Sequence, residues 1–95
     1  MKRNIYDEYV GKVLDLFNLK KKYLFTKSKR RDIVDSRHML YYLCYERKMQ
    51  VRYIQEYMAD NGYEVGHSSI IHGIAQVKSK MLEDLDYQRI CNELA

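Results

Sequence analysis

The fold is decided by the stretch Gly66-His67-Ser68-Ser69-Ile70-Ile71-His72-Gly73, in which small polar residues and a histidine precede a regular apolar pattern. Apolar residues recur at 70, 71, 74, 77 and 81, which is the spacing of a buried stripe on an α-helix. We therefore expect a helix that begins near His67 or Ser68, with one of these residues close to its N-cap. The outer side of this helix carries short or hydrogen-bonding residues that can approach another surface closely: Ser69, His72, Gln76, Ser79 and Lys80.

The chain as a whole has the composition of a small helical domain. Its 95 residues include four glycines and no proline, so it lacks the turn residues that would divide it into many short strands. A chain of this length is typical of one domain with a modest core rather than a deep cleft. The sequence thus predicts a single all-α domain over residues 1–95.

Helical spacing recurs along most of the chain. Asn4 is available as the N-cap of the first helix, and Asp60-Asn61-Gly62 should end the third, because Asn and Gly tolerate a left-handed backbone. The result is a small bundle of about five helices. The predicted helices are 4–17, from Asp32 or Asp35 to Lys48, 50–59, from His67 or Ser68 to Leu82, and 84–94.

Positive charge is concentrated in one segment. The formal net charge is +4 at pH 7, and seven Lys or Arg residues lie between Lys20 and Arg31, a segment that we call the basic loop (20–31). Such a cluster favours a phosphate backbone or an anionic membrane surface. The segment lacks the large apolar face of a membrane-bound helix, so we expect no membrane contact. A solvated loop without a partner is the simpler alternative.

A short helix, a turn and a longer helix with polar outer positions form the outline of a helix-turn-helix, here over about 50–82. The outline alone is weakly specific, because any small helical bundle contains helix pairs. The basic loop favours DNA, since a protein that recognises bases also needs phosphate contacts to hold its register. The predicted partner is therefore double-stranded DNA.

Other chemistry has little support in the same stretch. His67 and His72 lie five positions apart, about 140° around a helix, and no HExxH pattern or nearby cysteine accompanies them. Ser68 and Ser69 lack the GxSxG elbow of a serine nucleophile. We expect no metal, no cofactor, no small-molecule substrate and no enzymatic activity.

The ten tyrosines and two cysteines follow core patterns. Most tyrosines lie at or beside apolar positions, which favours packing with the hydroxyl at the edge over stacking on single-stranded nucleic acid. Cys44 and Cys91 lie within apolar stripes without metal-ligand spacing, so we expect buried thiols of a reducing compartment. Neither a signal-peptide pattern nor an apolar stretch near ~18 residues occurs. We therefore expect a cytoplasmic protein.

Three segments together resemble the C-terminal DNA-binding domain of the bacterial replication initiator DnaA, a helix-turn-helix fold of the Trp-repressor type. Lys27-Ser28-Lys29-Arg30-Arg31 stands where that family has its basic loop, and Arg37-His38-Met39 is similar to an Arg-Gln-Met-type segment. His67-Ser68-Ser69-Ile70-Ile71-His72-Gly73 is similar to the Asp-His-Thr-Thr-Val-Leu-His-Ala-type start of the family's recognition helix. The resemblance covers residues 13–82, with the elements in the family's order.

The resemblance implies a basic loop in the minor groove and a recognition helix in the major groove. Lys29, Arg30 and Arg31 would follow the narrow minor groove, where cations are favoured, and Arg37 would lie near the same groove or a phosphate. The 67–76 segment would supply the base contacts. The expected DNA-binding residues are Lys27, Lys29, Arg30, Arg31, Arg37, His67, Ser68, Ser69, His72 and Gln76.

The chain departs from that family around the recognition helix. Gly66 stands where the family has an acidic residue, and the turn before it is longer. Ala75 and Gln76 stand where basic residues are usual, so phosphate contacts would shift to Lys78 or Lys80. Each altered base contact changes discrimination by about 1–3 kcal/mol, so these departures indicate a different target sequence.

The expected function is that of a stand-alone double-stranded DNA-binding protein with some sequence preference, in replication control or transcriptional regulation. The ATPase chemistry of the full initiator is not expected, since no GxxxxGK[ST] loop occurs in the chain. An isolated module of this kind suits a phage, plasmid or other mobile element. The alternatives are a helical protein-protein interaction module and a transposase-like helix-turn-helix module. A homodimer or a protein partner also fits, because helix-turn-helix domains often act in pairs.

Overall fold

The computed structural model describes residues 2–95, with side chains from Arg3 onward, and this part of the chain is helical without any strand. The all-α prediction is confirmed. Five of the helices correspond to the five predicted ones, and the sixth is a single turn inside the basic loop. The helices are α1 Lys2–Phe17, α2 Lys21–Leu24, α3 Arg31–Glu46, α4 Val51–Asp60, α5 His67–Glu83 and α6 Leu85–Leu94.

The third helix, α3, is the centre of the bundle. Within the described residues it contacts all five other helices, most extensively α5 and α1. Its segment 39–44 consists of apolar or aromatic residues and is buried on every side. A helix that is apolar all round is typical of a buried position, so this run explains why α3 takes the central place.

The tyrosines and cysteines are mostly part of this core, as the sequence predicted. Tyr6, Tyr9, Tyr41 and Tyr42 are buried, and the Tyr6 hydroxyl lies 3.3 Å from the Met58 sulfur. Both cysteines are buried free thiols. Burial raises the pKa of the Cys44 thiol to about 12, so it is protonated and unreactive at neutral pH.

Residues with a left-handed backbone lie in the connections after α1, α3 and α4, and a buried leucine ends α2. The helix α4 ends at Asp60 with Asn61 as its C-cap, and Gly62 follows with φ +89°, which confirms the predicted stop at Asp60-Asn61-Gly62. Asn18 and Lys48 adopt the same backbone region after α1 and α3. Leu24, the last residue of α2, is fully buried in the core, and the 25–30 loop that follows is mostly exposed, with Phe25 packed partly against the core.

The start of α5 agrees with the prediction, since the helix begins at His67, directly after its N-cap Gly66. Two other predictions were wrong. Asn4 lies inside α1 rather than at its N-cap, because the helix already begins at Lys2. Ile71 is 48% exposed instead of buried, because the contact with α3 centres on the neighbouring positions 70, 73, 74 and 77.

Apolar side chains also lie at the surface along the second half of α5 and the start of α6. Leu82 and Leu85 are 87% and 78% exposed at the junction of these two helices. No helix among residues 2–95 combines the length and apolar character needed to cross a membrane.

Candidate nucleic-acid interface

The 25–30 loop and the first half of α5 lie side by side on one face of the molecule. A cleft of about 280 Å³ is lined by Ser28 from the loop and by Gly66 and Ser69 from the start of α5. A second cleft, of about 220 Å³, is lined by Arg31 at the start of α3 and by His72 and Gln76. Segments about 40 positions apart in the sequence thus border the same surface.

The outer face of α5 has the polar side chains that the sequence predicted. Ser69, His72 and Gln76 are all exposed, and their i, i+3, i+7 spacing places them on one side of the helix. Lys80 continues this row but is half-buried, because its Nζ lies 3.2 Å from the Asp35 carboxylate on α3. The row therefore ends in an ion pair that ties α5 to α3.

The N-terminus of α5 is open to solvent. Gly66 supplies no side-chain cap, and the first turn contains no acidic residue. The first backbone N–H bonded inside the helix belongs to Ile70, which donates to the Gly66 carbonyl at 3.3 Å. The free N–H groups before it carry partial positive charge, which suits a phosphate.

Arg37 differs from the expectation that placed it at a groove or phosphate. Its side chain is only 4% exposed. Its guanidinium donates hydrogen bonds to the backbone carbonyls of Leu24, Thr26 and Ser28, and its centre lies 4.3 Å from that of the Tyr63 ring. The structure therefore places Arg37 beneath the loop rather than at the surface, with its guanidinium between these carbonyls and the Tyr63 ring.

The loop cations remain at the surface, in two different settings. Arg30 forms a two-point ion pair with Asp32, with both N–O distances 2.8 Å, and its guanidinium lies over the Tyr23 ring. Arg31 is 88% exposed in its side chain, and its Nε lies 3.8 Å from Asp35. The aspartates offset part of the positive charge and hold the first turn of α3 beside the loop.

Lys27 and Lys29 extend the charged surface away from α5. Both are exposed, and with Ser28 and Tyr63 they line a further open cleft of about 500 Å³. Neither forms an ion pair with another described residue. Their ammonium groups are therefore free to approach an anionic partner.

A close approach between α3 and α5 fixes the position of the outer row. A Cβ atom at Gly73 would lie 2.7 Å from the His38 ring and 3.0 Å from the Tyr41 ring, so only glycine fits this arrangement without a shift. The His38 ring meets the His72 ring edge-on, with centroids 6.0 Å apart. His72 is thus positioned by a partner on α3.

His38 lies in an environment that disfavours its charged form. Burial lowers its pKa most, Asp35 opposes this, and the nearby His72, Lys80 and Arg37 lower the pKa further. The imidazole is consequently neutral at physiological pH. It packs between α3 and α5 without adding positive charge to the face.

The structure brings together part of the predicted set and separates the rest. Ser69, His72, Gln76 and Arg31 border shared clefts with the loop or α3, and Lys27 and Lys29 border the cleft beside Tyr63. His67 and Ser68 are exposed on the first turn of α5, and Arg30 is exposed but turned toward Tyr23. Only Arg37 is buried among these predicted residues.

Sequence reasoning missed three residues that shape this face: Asp35, His38 and Tyr63. A carboxylate four positions after Arg31 is a detectable signal for an i, i+4 ion pair. The roles of His38 and Tyr63 depend on contacts with distant segments, which no local pattern shows. Across residues 2–95, no group of three or more His, Cys, Asp or Glu side chains is placed to hold a metal ion.

Comparison of the chain with protein-family models, curated proteins and solved structures gave no match. The resemblance to the DnaA C-terminal domain therefore stays a prediction. What bears on function is the geometry of the face itself, with its loop cations, open helix N-terminus and row of polar side chains.

Proposed function

We propose that this protein binds double-stranded DNA with the face formed by the 25–30 loop, Arg31 and the first half of α5. The observation that carries the proposal is that Arg31 borders one cleft with His72 and Gln76 of the polar row, while Ser28 of the loop borders another with Ser69. Cations supply the phosphate contacts that give affinity, and a row of hydrogen-bonding side chains supplies base contacts. The α4 and α5 pair serves as the helix-turn-helix.

In this proposal α5 enters the major groove by its N-terminal half. An α-helix with side chains is about 10–12 Å in diameter and fits a groove about 12 Å wide. The open N–H groups after Gly66, with His67 and Ser68, then lie near a phosphate. Ser69, His72 and Gln76 face base edges, and a glutamine can bond adenine N6 and N7 together.

The loop lies beside the adjacent backbone and minor groove. Lys27, Lys29 and Arg31 are the exposed cations best placed for phosphates, and Arg30 joins them when it releases Asp32. The molecule is 34 Å in its longest dimension, so one copy spans about ten base pairs at ~3.4 Å each. We propose a short recognition site, extended by a second copy or a protein partner.

The role that fits such a module is replication control or transcriptional regulation, in the cytoplasm and without catalysis. This assignment rests on the DnaA-like order of basic loop and recognition helix. A phage, plasmid or other mobile element is a suitable setting for it.

The test is the salt dependence of duplex binding in two charge-matched double variants. Arg30→Ala/Arg31→Ala removes two cations from the face, each paired with an aspartate. Arg3→Ala/Arg89→Ala removes two exposed cations elsewhere, also each paired with an aspartate. Fluorescence anisotropy over a range of salt gives the slope of log K against log salt for each protein.

The wild type should bind duplexes more tightly than ~100 µM at low salt, with a slope of about 0.9 per phosphate neutralised. The face variant should lower the total slope by up to about 1.8, the value for two phosphate contacts, and the control variant should keep the wild-type slope. Equal slopes for both variants would show that the cations act only through net charge and that the proposed face is wrong.

A second candidate function, protein binding, is favoured by one observation. A mainly apolar cleft of about 290 Å³ lies on the other side of α5, lined by Tyr45, Val51, Ile71 and their neighbours. Apolar docking would depend little on salt, so the same titration separates it from DNA binding. Ile71→Lys would abolish it while leaving the loop unchanged.

A further inference from the structure

Arg37 is the one buried side chain among residues 3–95 that carries a full charge at neutral pH. Within the described part of the chain, no carboxylate forms an ion pair with it. Its Nε donates to the Leu24 carbonyl at 2.9 Å, its Nη1 to the Ser28 carbonyl at 3.3 Å, and its Nη2 to the Thr26 carbonyl. Backbone dipoles thus stabilise the charge in place of a counter-ion.

These acceptors lie on alternate residues of the segment that leads into the basic surface. The 25–30 loop contains neither helix nor strand, and among its carbonyls only that of Arg30 accepts a helical hydrogen bond within the described residues, from the Val34 N–H at 3.0 Å. The other local bonds involve the Phe25 and Thr26 N–H groups, which donate to the Tyr23 carbonyl, and the Thr26 hydroxyl, which donates to the Lys22 carbonyl. The Arg30 N–H donates to the Ser28 hydroxyl at 3.1 Å. The three hydrogen bonds from Arg37 therefore hold the backbone of this loop in one conformation, as the hydrogen bonds of a neighbouring strand hold a β-strand.

Tyr63 connects the same guanidinium to the helix-turn-helix. Its ring lies 4.3 Å from the centre of the Arg37 guanidinium, and its N–H donates to the Met58 carbonyl at the end of α4. Tyr63 belongs to the 61–66 connector that leads directly into α5. One buried cation is thereby in contact with the loop on one side and with the α4–α5 connector on the other.

We propose that Arg37 is a positioning residue that preforms the 25–30 loop and, through Tyr63, fixes its spacing from α5, without contacting DNA. The DNA part rests on the proposed function, while the ordering of the loop is a property of the free protein. A loop fixed before binding loses less conformational entropy in the complex, which raises affinity without a new contact.

The chemistry requires arginine at this position. A planar guanidinium directs several N–H groups along fixed directions and presents a flat face to an aromatic ring. A lysine ammonium has the same charge but is compact and cannot reach spread acceptors at once. A phosphate contact, in contrast, is one that lysine makes well. Arg37→Lys therefore distinguishes the two roles: lysine could replace arginine in a phosphate contact but could not position the loop.

The experiment uses Arg37→Lys, Tyr63→Leu and the conservative Tyr63→Phe, with Arg30→Ala as a surface control. Amide hydrogen exchange at Thr26 and Arg30 reports loop order in the free protein, and duplex binding over a range of salt reports affinity and slope. Tyr63→Leu changes no charge and keeps the test available if Arg37→Lys folds poorly.

Arg37→Lys and Tyr63→Leu should speed exchange at both amides at least tenfold and weaken duplex binding at every salt concentration, with the slope unchanged. Tyr63→Phe should behave as wild type, since the ring is retained. Arg30→Ala should lower the slope by about 0.9, the value expected for one phosphate contact, and leave exchange at Thr26 unchanged.

Unchanged exchange in both Arg37→Lys and Tyr63→Leu would overturn the positioning role. A direct phosphate contact by Arg37 would also overturn it. In that case Arg37→Lys would bind with near-wild-type affinity, and Arg37→Met would lower the slope by about 0.9. If the wild type binds no duplex, the proposed function fails, and the exchange data alone then decide whether Arg37 orders the loop.

Discussion

Arg30 and Arg37 lie seven positions apart and have opposite environments. Arg30 is exposed and pairs with a carboxylate, whereas Arg37 is buried and pairs with backbone carbonyls. The same contrast extends to the face as a whole. An outer layer of exposed polar and cationic residues lies over an inner layer that comprises Arg37, His38, Tyr63 and Gly73.

The difference shows that a cation in a basic cluster is not evidence of a ligand contact until its burial is known. Substitutions in the inner layer should change stability or loop order. Substitutions in the outer layer should change binding and leave the fold intact.

The largest effect is expected for Arg37→Met. Loss of the guanidinium leaves the buried Leu24 carbonyl and the part-buried Thr26 and Ser28 carbonyls without this donor. An unsatisfied buried group costs about 1–3 kcal/mol and a part-buried one less, so the free energy of unfolding should fall by ~3 kcal/mol. Urea denaturation followed by circular dichroism measures the change. Arg30→Ala is the outer-layer control and should keep the wild-type midpoint. Similar midpoints for the two variants would remove the distinction between the layers.

The next effect concerns base recognition by the outer layer. Gln76→Ala should lower the preference for the best duplex over a single-base variant by up to about 1–3 kcal/mol, because one bidentate base contact is lost. The urea midpoint should not move, since Gln76 is exposed. Competition binding with paired duplexes measures the preference. A uniform loss of affinity for all duplexes would instead assign Gln76 to the phosphate backbone.

Gly73→Ala should destabilise the inner layer by about 1–2 kcal/mol. Overpacking against the His38 ring costs about 1–3 kcal/mol, and the better helix propensity of alanine returns up to about 1 kcal/mol. The same substitution in a His38→Ala background should lose most of this penalty, and a double-mutant cycle in urea measures the coupling. Additive effects on the free energy of unfolding would show that there is no steric conflict between a side chain at position 73 and the His38 ring.

The smallest effect is a pH dependence that arises from His38. Its pKa is lowered in the folded state, so the neutral form is favoured there and the stabilisation is complete above the ordinary value near 6.5. Stability should fall as the pH drops below 6.5 toward the lowered pKa, by a small amount because the ring is only half-buried. The urea midpoint at pH 7.5 and pH 5.5 should differ more in the wild type than in His38→Gln. An identical shift in both proteins would exclude His38 as its source.

The helices were predictable because burial imposes a period on the sequence. The stripe at 70, 74 and 77 places α5, and the apolar run at 39–44 marks α3 as central. One turn, such as α2, is too short to show a period, and it depends on the burial of Leu24 in a core built from other segments. Ile71 fitted the helical stripe equally well, but the close contact at Gly73 turned it outward.

The sequence predicted the site residues whose exposure follows from helical spacing, but not those whose position depends on distant contacts. The outward row of Ser69, His72 and Gln76 follows from helical spacing. The burial of Arg37 does not, because its acceptors lie 9 to 13 positions earlier and its aromatic partner lies in another connection. The local sequence shows a basic residue among others, and only the packing of the chain assigns it to the interior.

The central claim is that the 25–30 loop, Arg31 and the first half of α5 act as one DNA-binding face. Chemical-shift mapping of the backbone amides during titration with a short duplex at low salt tests it most directly. The account predicts that amides of 27–31 and 66–76 shift together, at the same duplex concentration, while those of α6 and of the first turns of α1 stay in place. Shifts confined to the apolar edge around Tyr45, Val51 and Leu82, or no shifts at all, would contradict it.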